Sequence, residues 1–128
     1  MDRKKLFIRL TLLILCIFVL NFIATKLYWY SSIWWFDMPM HFLGGFWLGL
    51  ALLWLFPIDE PALKKVFKIA LGVLVIGFAW ELFEIVVNNI FAQNPFDLID
   101  TTSDIFFDIS GGFASTVYIL YKNYANNA

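Results

Sequence analysis

Read from the first residue, the chain alternates long apolar stretches with short polar breaks. Leu6–Thr25 is apolar apart from Arg9 near its start and Asn21 near its end, Pro39–Phe56 follows, then Val66–Val87, then about Ser103–Tyr121. Each approaches the roughly 20 residues needed to cross a hydrocarbon core of about 30 Å at about 1.5 Å per residue. The second is short and needs the turn holding Asp37 to complete its length. No stretch alternates as a barrel strand would, and a bilayer offers no partners for open backbone groups, so all four are predicted to be helices. Trp29-Tyr30-Ser31-Ser32, Pro57-Ile58-Asp59-Glu60-Pro61 and Asn88–Thr102 read as the connections. The prolines of the middle one remove donors and disfavour helix just before them. The predicted fold is all-α: one polytopic membrane domain over 1–128 with transmembrane helices near 6–25, 37–56, 66–87 and 103–121. No internal repeat or low-complexity tract appears.

Composition supports lipid as the solvent. The chain is 62% hydrophobic, 20% aromatic and 15% charged, with mean hydropathy +0.78. Soluble domains run about 45–50% apolar and about 25% charged, and 128 residues cannot hide this much apolar surface from water. Charge sets the expected orientation, since lysine and arginine accumulate in cytoplasmic segments. Eight of the nine basic residues lie before the first helix, around the second connection or after the fourth helix, and only Lys26 lies on the other side. Seven of the ten acids share that other side with Lys26. Both termini are therefore predicted to be cytoplasmic, with Tyr28, Trp29, Tyr30, Trp34 and Trp35 as an interfacial belt at the outer boundary. The first apolar run is longer than a signal-peptide core of about 7–15 residues and no small-x-small site follows, so it is expected to stay as an uncleaved helix. Cys16 lies in mid-membrane on that helix, has no intramolecular partner, and reads as a small hydrophobe. The basic N-terminus reads as a topology signal, not as a nucleic-acid patch.

The ionisable residues within the apolar segments carry the candidate chemistry, because a charge at a helix centre in a bilayer costs about 2.5–3.5 kcal/mol. Asp37 and His41 are i,i+4, Glu81 and Glu84 i,i+3, and Asp104 and Asp108 i,i+4, so each pair shares a helix face. The faces continue into small residues: Gly45 and Gly49 after His41, Gly77 before Glu81, and Gly111, Gly112 and Ser115 after Asp108. Such residues mark close approach of membrane helices, so the polar stripes are expected to face one another at the outer end of the bundle. The first helix, with only Asn21 and Thr25 at that depth, reads as a supporting wall.

Structural roles compete for some of these positions. Asp37 stands just before Pro39 and has the residue type of an N-cap. Thr101-Thr102-Ser103-Asp104 fits a capping pattern with Thr101 as cap, and Asp97 and Asp100 read as solvated loop carboxylates. Glu81 and Asp108 sit about two turns inside their helices, beyond any capping role.

Several carboxylates and an imidazole at one depth cannot all stay charged without a cation, water or a proton. A divalent metal is one resolution, with oxygen ligands favouring magnesium, calcium or manganese and His41 admitting zinc or iron. An acid–base carboxylate pair is a second, and a proton or cation relay a third. On this reading His41, Glu84, Asp104 and Asp37 are the candidate metal ligands, and Glu81 and Asp108 the candidate catalytic acids. No nucleotide-binding glycine loop, nucleophile elbow or zinc-type Cys/His spacing is present.

The order of these motifs resembles the VanZ-like and YjdF-like integral membrane proteins of bacteria. The resemblance rests on Asp37-Met-Pro-Met-His41-Phe42, Trp80-Glu81-Leu-Phe-Glu84, Phe96-Asp97-Leu-Ile-Asp100 and Asp104-Ile-Phe-Phe-Asp108-Ile-Ser-Gly111-Gly112, over about two-thirds of the chain. Against the VanZ-like pattern, Met38 replaces a lysine, Glu84 a glutamine and Asp108 an asparagine, and no arginine precedes the last motif. These departures make the site more acidic and lean toward the YjdF-like branch. The resemblance implies a cell-envelope role in a bacterial cytoplasmic (inner) membrane and brings no established reaction with it. The expected function is a membrane protein that binds a divalent cation at the outer face and recognises or processes a polar lipid-linked headgroup. A proton- or cation-conducting module and a non-catalytic assembly partner are the alternatives. Membrane lipids are the expected partners, nucleic acid is not, and a homo-oligomer or a second membrane protein stays open.

Overall fold

A computed structural model describes residues 2–56, 59–92 and 96–127. Among these residues helix is the only regular secondary structure, with α1 over Arg3–Lys26, α2 over Trp29–Ser32, α3 over Asp37–Leu55, α4 over Ala62–Val87 and α5 over Leu98–Asn127. Asn88–Ala92 continues α4 as a π-helical turn. Pro57 and Ile58 of the expected second connection lie outside the described residues.

Among the described residues three helices are long and apolar enough to cross a membrane: α1, α3, and α4 with its π turn as far as Phe91. The expected fourth span, 103–121, is not among them. The helix that contains it, α5, has Asp100, Thr101, Thr102, Ser103, Asp104, Asp108 and Ser110 along its first half, and these dilute its apolar character. Its polar face is turned inward, so that Asp104, Asp108, Ser115 and Thr116 are all buried. By contrast α1 shows most of its apolar side chains outward, Leu12, Phe18 and Phe22 among them. Large apolar surfaces of this kind need a non-aqueous neighbour.

The bundle interior changes character along its length. At the end holding the chain termini, Leu6, Leu10, Leu50, Leu53, Ile69, Val73 and Ile119 form a hydrocarbon core. Trp47 donates its indole N–H to the Leu10 carbonyl at 2.9 Å and ties α1 to α3. Arg3 reaches the Trp54 carbonyl at 2.9 Å and lies over that indole, which fixes α1 antiparallel to α3. The Asp2 carboxylate caps α1, accepting from the Lys4 and Lys5 amides, and the Lys5 amide first of all lowers its pKa.

The middle layer is built from small residues, and α5 packs more extensively on α3 than on α4. A Cβ at Gly45 would collide with the Asp108 carbonyl oxygen, and one at Gly111 with the Phe42 carbonyl oxygen. The two backbones touch where only glycine allows it, as the stripes of small residues anticipated. Ser115 and Thr116 both return their hydroxyl protons to the Gly112 carbonyl, at 2.7 and 3.0 Å, which makes them compatible with burial.

The far end of the bundle is polar. The first connection is folded there: Tyr28 adopts the left-handed conformation (φ 57°), and Ser31 and Ser32 donate their hydroxyls to its carbonyl. Phe36 is buried with Trp29 and Tyr30 against it edge-on. Tyr30 donates to Asn21 Oδ1 at 2.7 Å, and burial, followed by the carboxylates of Asp37 and Glu84, raises its pKa.

Candidate functional site: an Asp/His cluster beside an acidic cleft

Three helix ends meet at the polar end: the N-termini of α3 and α5 and the C-terminus of α4 with its π turn. Helix N-termini stabilise nearby carboxylates through their partial positive charge, which suits Asp37 and Asp100 in the first turns of α3 and α5.

His41 organises the cluster. Its Nδ1 lies 3.2 Å from Asp108 Oδ1, within hydrogen-bond reach across the α3–α5 contact. With a proton on Nδ1 the ring donates to this carboxylate oxygen. The other ring nitrogen, Nε2, then faces Asp37 Oδ1 at 3.7 Å and Asp104 Oδ1 at 3.6 Å. One ligand atom from each of Asp37, His41 and Asp104 falls within 4.8 Å of the others. These three residues could hold a metal ion, an arrangement in which one ring nitrogen is left for the ion and the other N–H is held by a carboxylate behind it.

Neither competing cap reading holds for these residues. Phe36 is the N-cap of α3 and makes no side-chain cap bond, so Asp37 is free to face His41. The helix expected to begin near 103 begins at Leu98 instead, and Asp97 is its cap, accepting from the amides of Ile99 at 2.9 Å and Asp100 at 3.3 Å. The reason lies in the local sequence: Asp97-Leu-Ile-Asp100 offers a cap oxygen and a first-turn acid four residues upstream of the Thr101–Asp104 pattern. Asp97 is thus no mere loop carboxylate. Asp104 is left inside the helix, 5% exposed, with no capping duty.

The remaining expected site residues lie beside this cluster. A cleft of about 330 Å³ runs between the end of α4, its π turn and the start of α5. Glu81 and Asp104 form its buried part, and Glu84, Asp97 and Asp100 its exposed rim. The π turn supplies Asn88 and Asn89 to the same wall. Glu84, expected among the metal ligands, is therefore on the cleft and not in the triad, because α4 packs chiefly on α5 and less on α3. Asp108, expected as a catalytic acid, stands behind His41 and positions it. Glu81 is 4% exposed, and its Oε1 has no hydrogen-bond partner among the described residues. Asp104 belongs to both the triad and the cleft. Asp100 and Thr101 join the site through the early start of α5, and Asn88 and Asn89 through the π turn that extends α4, for which the sequence offers no comparable signal.

The family model described as "Predicted membrane protein (DUF2238)" matches residues 2–124, which takes in all of these positions. No curated protein and no solved structure matches the chain.

Proposed function

The chain belongs to the DUF2238 family of membrane proteins, and from that premise we propose that it binds a divalent cation through Asp37, His41 and Asp104 within the membrane-spanning bundle. In this reading α5 is a fourth, polar-cored span shielded by α3 and α4. The charge asymmetry supports an orientation with both termini in the cytoplasm and the site at the extracytoplasmic face of a bacterial cytoplasmic membrane. The bound cation serves a cell-envelope role by receiving the polar headgroup of a lipid-linked molecule, and the motif order supports a VanZ-like or YjdF-like relationship.

The observation that carries the reading is the two-sided engagement of His41, with Nδ1 toward Asp108 and Nε2 toward two carboxylates. A histidine present only to lock helices together needs one partner. The mixed donor set of one imidazole and two carboxylates favours zinc or manganese over calcium. Conduction is the weaker alternative, because the polar interior gives way to glycine packing and then to hydrocarbon around Leu50, Leu53, Ile69 and Val73. A relay has no titratable side chain to use in that core among the described residues.

Metal analysis of the purified protein, paired with thermal shifts across zinc, manganese, magnesium and calcium, tests the reading. Wild type is expected to carry and be stabilised by one of these ions, since a ligand that binds only the folded state stabilises it by mass action. His41→Ala is expected to lose both effects while keeping the helical content. No stabilisation of wild type by any of the four ions would remove the cation from the reading.

A further inference from the structure

The cleft beside the histidine centre has a composition that selects its own ligand. Five carboxylates line it, those of Glu81, Glu84, Asp97, Asp100 and Asp104, and among the described residues no lysine, arginine or histidine does. A phosphate or carboxylate ligand would meet the repulsion of these carboxylates with no positive side chain to offset it among the described residues. A buried carboxylate oxygen left without a partner is costly, and each such oxygen in a native structure calls for an explanation. Glu81, whose side chain lines this cleft, carries one in Oε1.

We infer that this cleft binds a primary ammonium group, carried by a headgroup or a small free amine, with Glu81 and Glu84 as its principal acceptors. Three features of the site narrow the class. At about 330 Å³ the cleft is far larger than a bare ion needs and falls within the range of small-molecule sites, about 300–1,000 Å³. A primary ammonium has three donors and no acceptor, which suits a wall of carboxylate oxygens. A quaternary ammonium is recognised by an aromatic cage, and among the described residues Phe96 is the one aromatic ring on this wall. Asp104, shared with the triad, would place the ammonium next to the cation and whatever anionic group that cation receives. The inference deepens the proposed function and rests on it only for the headgroup as the source of the amine; the ammonium site itself stands on the cleft.

The test uses the full-length protein in detergent, titrated with three phospholipids of identical acyl chains. Their headgroups are ethanolamine, choline and glycerol, and free ethanolamine is titrated as a fourth arm. The ethanolamine lipid is expected to raise the melting temperature and the choline and glycerol lipids to leave it unchanged. Stabilisation by free ethanolamine at comparable concentration assigns the site to free amines; stabilisation by the lipid alone assigns it to a headgroup. Glu84→Gln, an exposed substitution, and Glu81→Gln are each expected to weaken the half-saturation by about tenfold or more, the loss of about 1.4 kcal/mol of binding. Both should melt as cooperatively as wild type and keep any stabilisation by zinc or manganese. Equal response to the ethanolamine and choline lipids, or an undiminished response in well-folded Glu84→Gln, overturns the ammonium site. Loss of the metal response in wild type alongside a retained amine response would instead overturn only the cation centre.

Discussion

Asp108 holds His41 from behind: its Oδ1 lies 3.2 Å from the ring Nδ1, on the far side of the imidazole from Asp37 and Asp104. The contact crosses the closest approach of two helices, since Gly45 of α3 lies directly against the Asp108 backbone. Helix packing and imidazole orientation are thus set by one residue. Asp108→Asn keeps an acceptor at this position but removes the charge and allows the amide to turn its donor inward. Divalent-cation affinity is expected to fall by about 10–100-fold, the usual cost of losing a carboxylate behind a ligating histidine. The metal-free protein should remain folded. Titration of wild type and variant with a competing zinc or manganese chelator measures the difference, and equal affinities would mean that Asp108 does not position the ligand.

The glycine contacts predict opposite outcomes for neighbouring substitutions. Gly45→Ala drives a methyl into the Asp108 carbonyl, and Gly111→Ala drives one into the Phe42 carbonyl. Neither clash involves a side chain that can rotate away, so each is expected to cost about 1–3 kcal/mol and to push α3 and α5 apart. At Gly44 an added Cβ meets nothing within 4 Å. Gly44→Ala should then be neutral or stabilise by up to about 1 kcal/mol through helix propensity. Thermal melts of the three variants in one detergent decide this, and a Gly44→Ala as damaging as Gly45→Ala would mean that the α3–α5 interface has been placed on the wrong face.

Much of this arrangement was legible before any coordinates. Apolar length placed the helices, and the spacing of Asp37/His41, Asp104/Asp108 and the glycines after them placed the shared face, because a helix puts i and i+4 residues together. Two things were not legible. The division of the acids into a histidine triad and a separate cleft depends on α4 packing chiefly on α5, and single-helix periodicity carries no information about which neighbour a face meets. The second was the start of α5. Two overlapping cap patterns compete between Asp97 and Asp104, each locally sound, and the upstream one, with Asp97 accepting from the Ile99 and Asp100 amides, is the one used. That choice matters for chemistry: it relieves Asp104 of a capping role and lengthens the wall on which Asp100 and Thr101 stand.

The cap itself can be tested. Asp97 accepts two backbone amides of the first α5 turn, so Asp97→Ala is expected to destabilise the protein by about 1 kcal/mol and to fray that turn. Asp97→Asn, which retains a cap oxygen, should be close to wild type in stability. Hydrogen exchange at the Ile99 and Asp100 amides gives a local readout alongside the melting temperature. Unchanged protection of both amides in Asp97→Ala would show that another group caps the helix.

Orientation in the membrane can be decided with two single cysteines in a Cys16→Ser background. Ile99 stands at the polar end, 83% exposed, and Tyr124 near the opposite end, 77% exposed. Eight of nine basic residues lie on the side of the termini, and the preference of such residues for the cytoplasm predicts Tyr124 inside and Ile99 outside. A membrane-impermeant thiol reagent applied to intact cells should label Ile99→Cys and leave Tyr124→Cys untouched until the membrane is opened. The two sites lie at opposite ends of one continuous helix, α5, so the pair also tests whether this polar-cored helix crosses the bilayer. Labelling of both in intact cells would mean that α5 does not span. Labelling of Tyr124→Cys alone would turn the protein over and bring the acidic cleft to the cytoplasm, where an extracytoplasmic headgroup could not reach it.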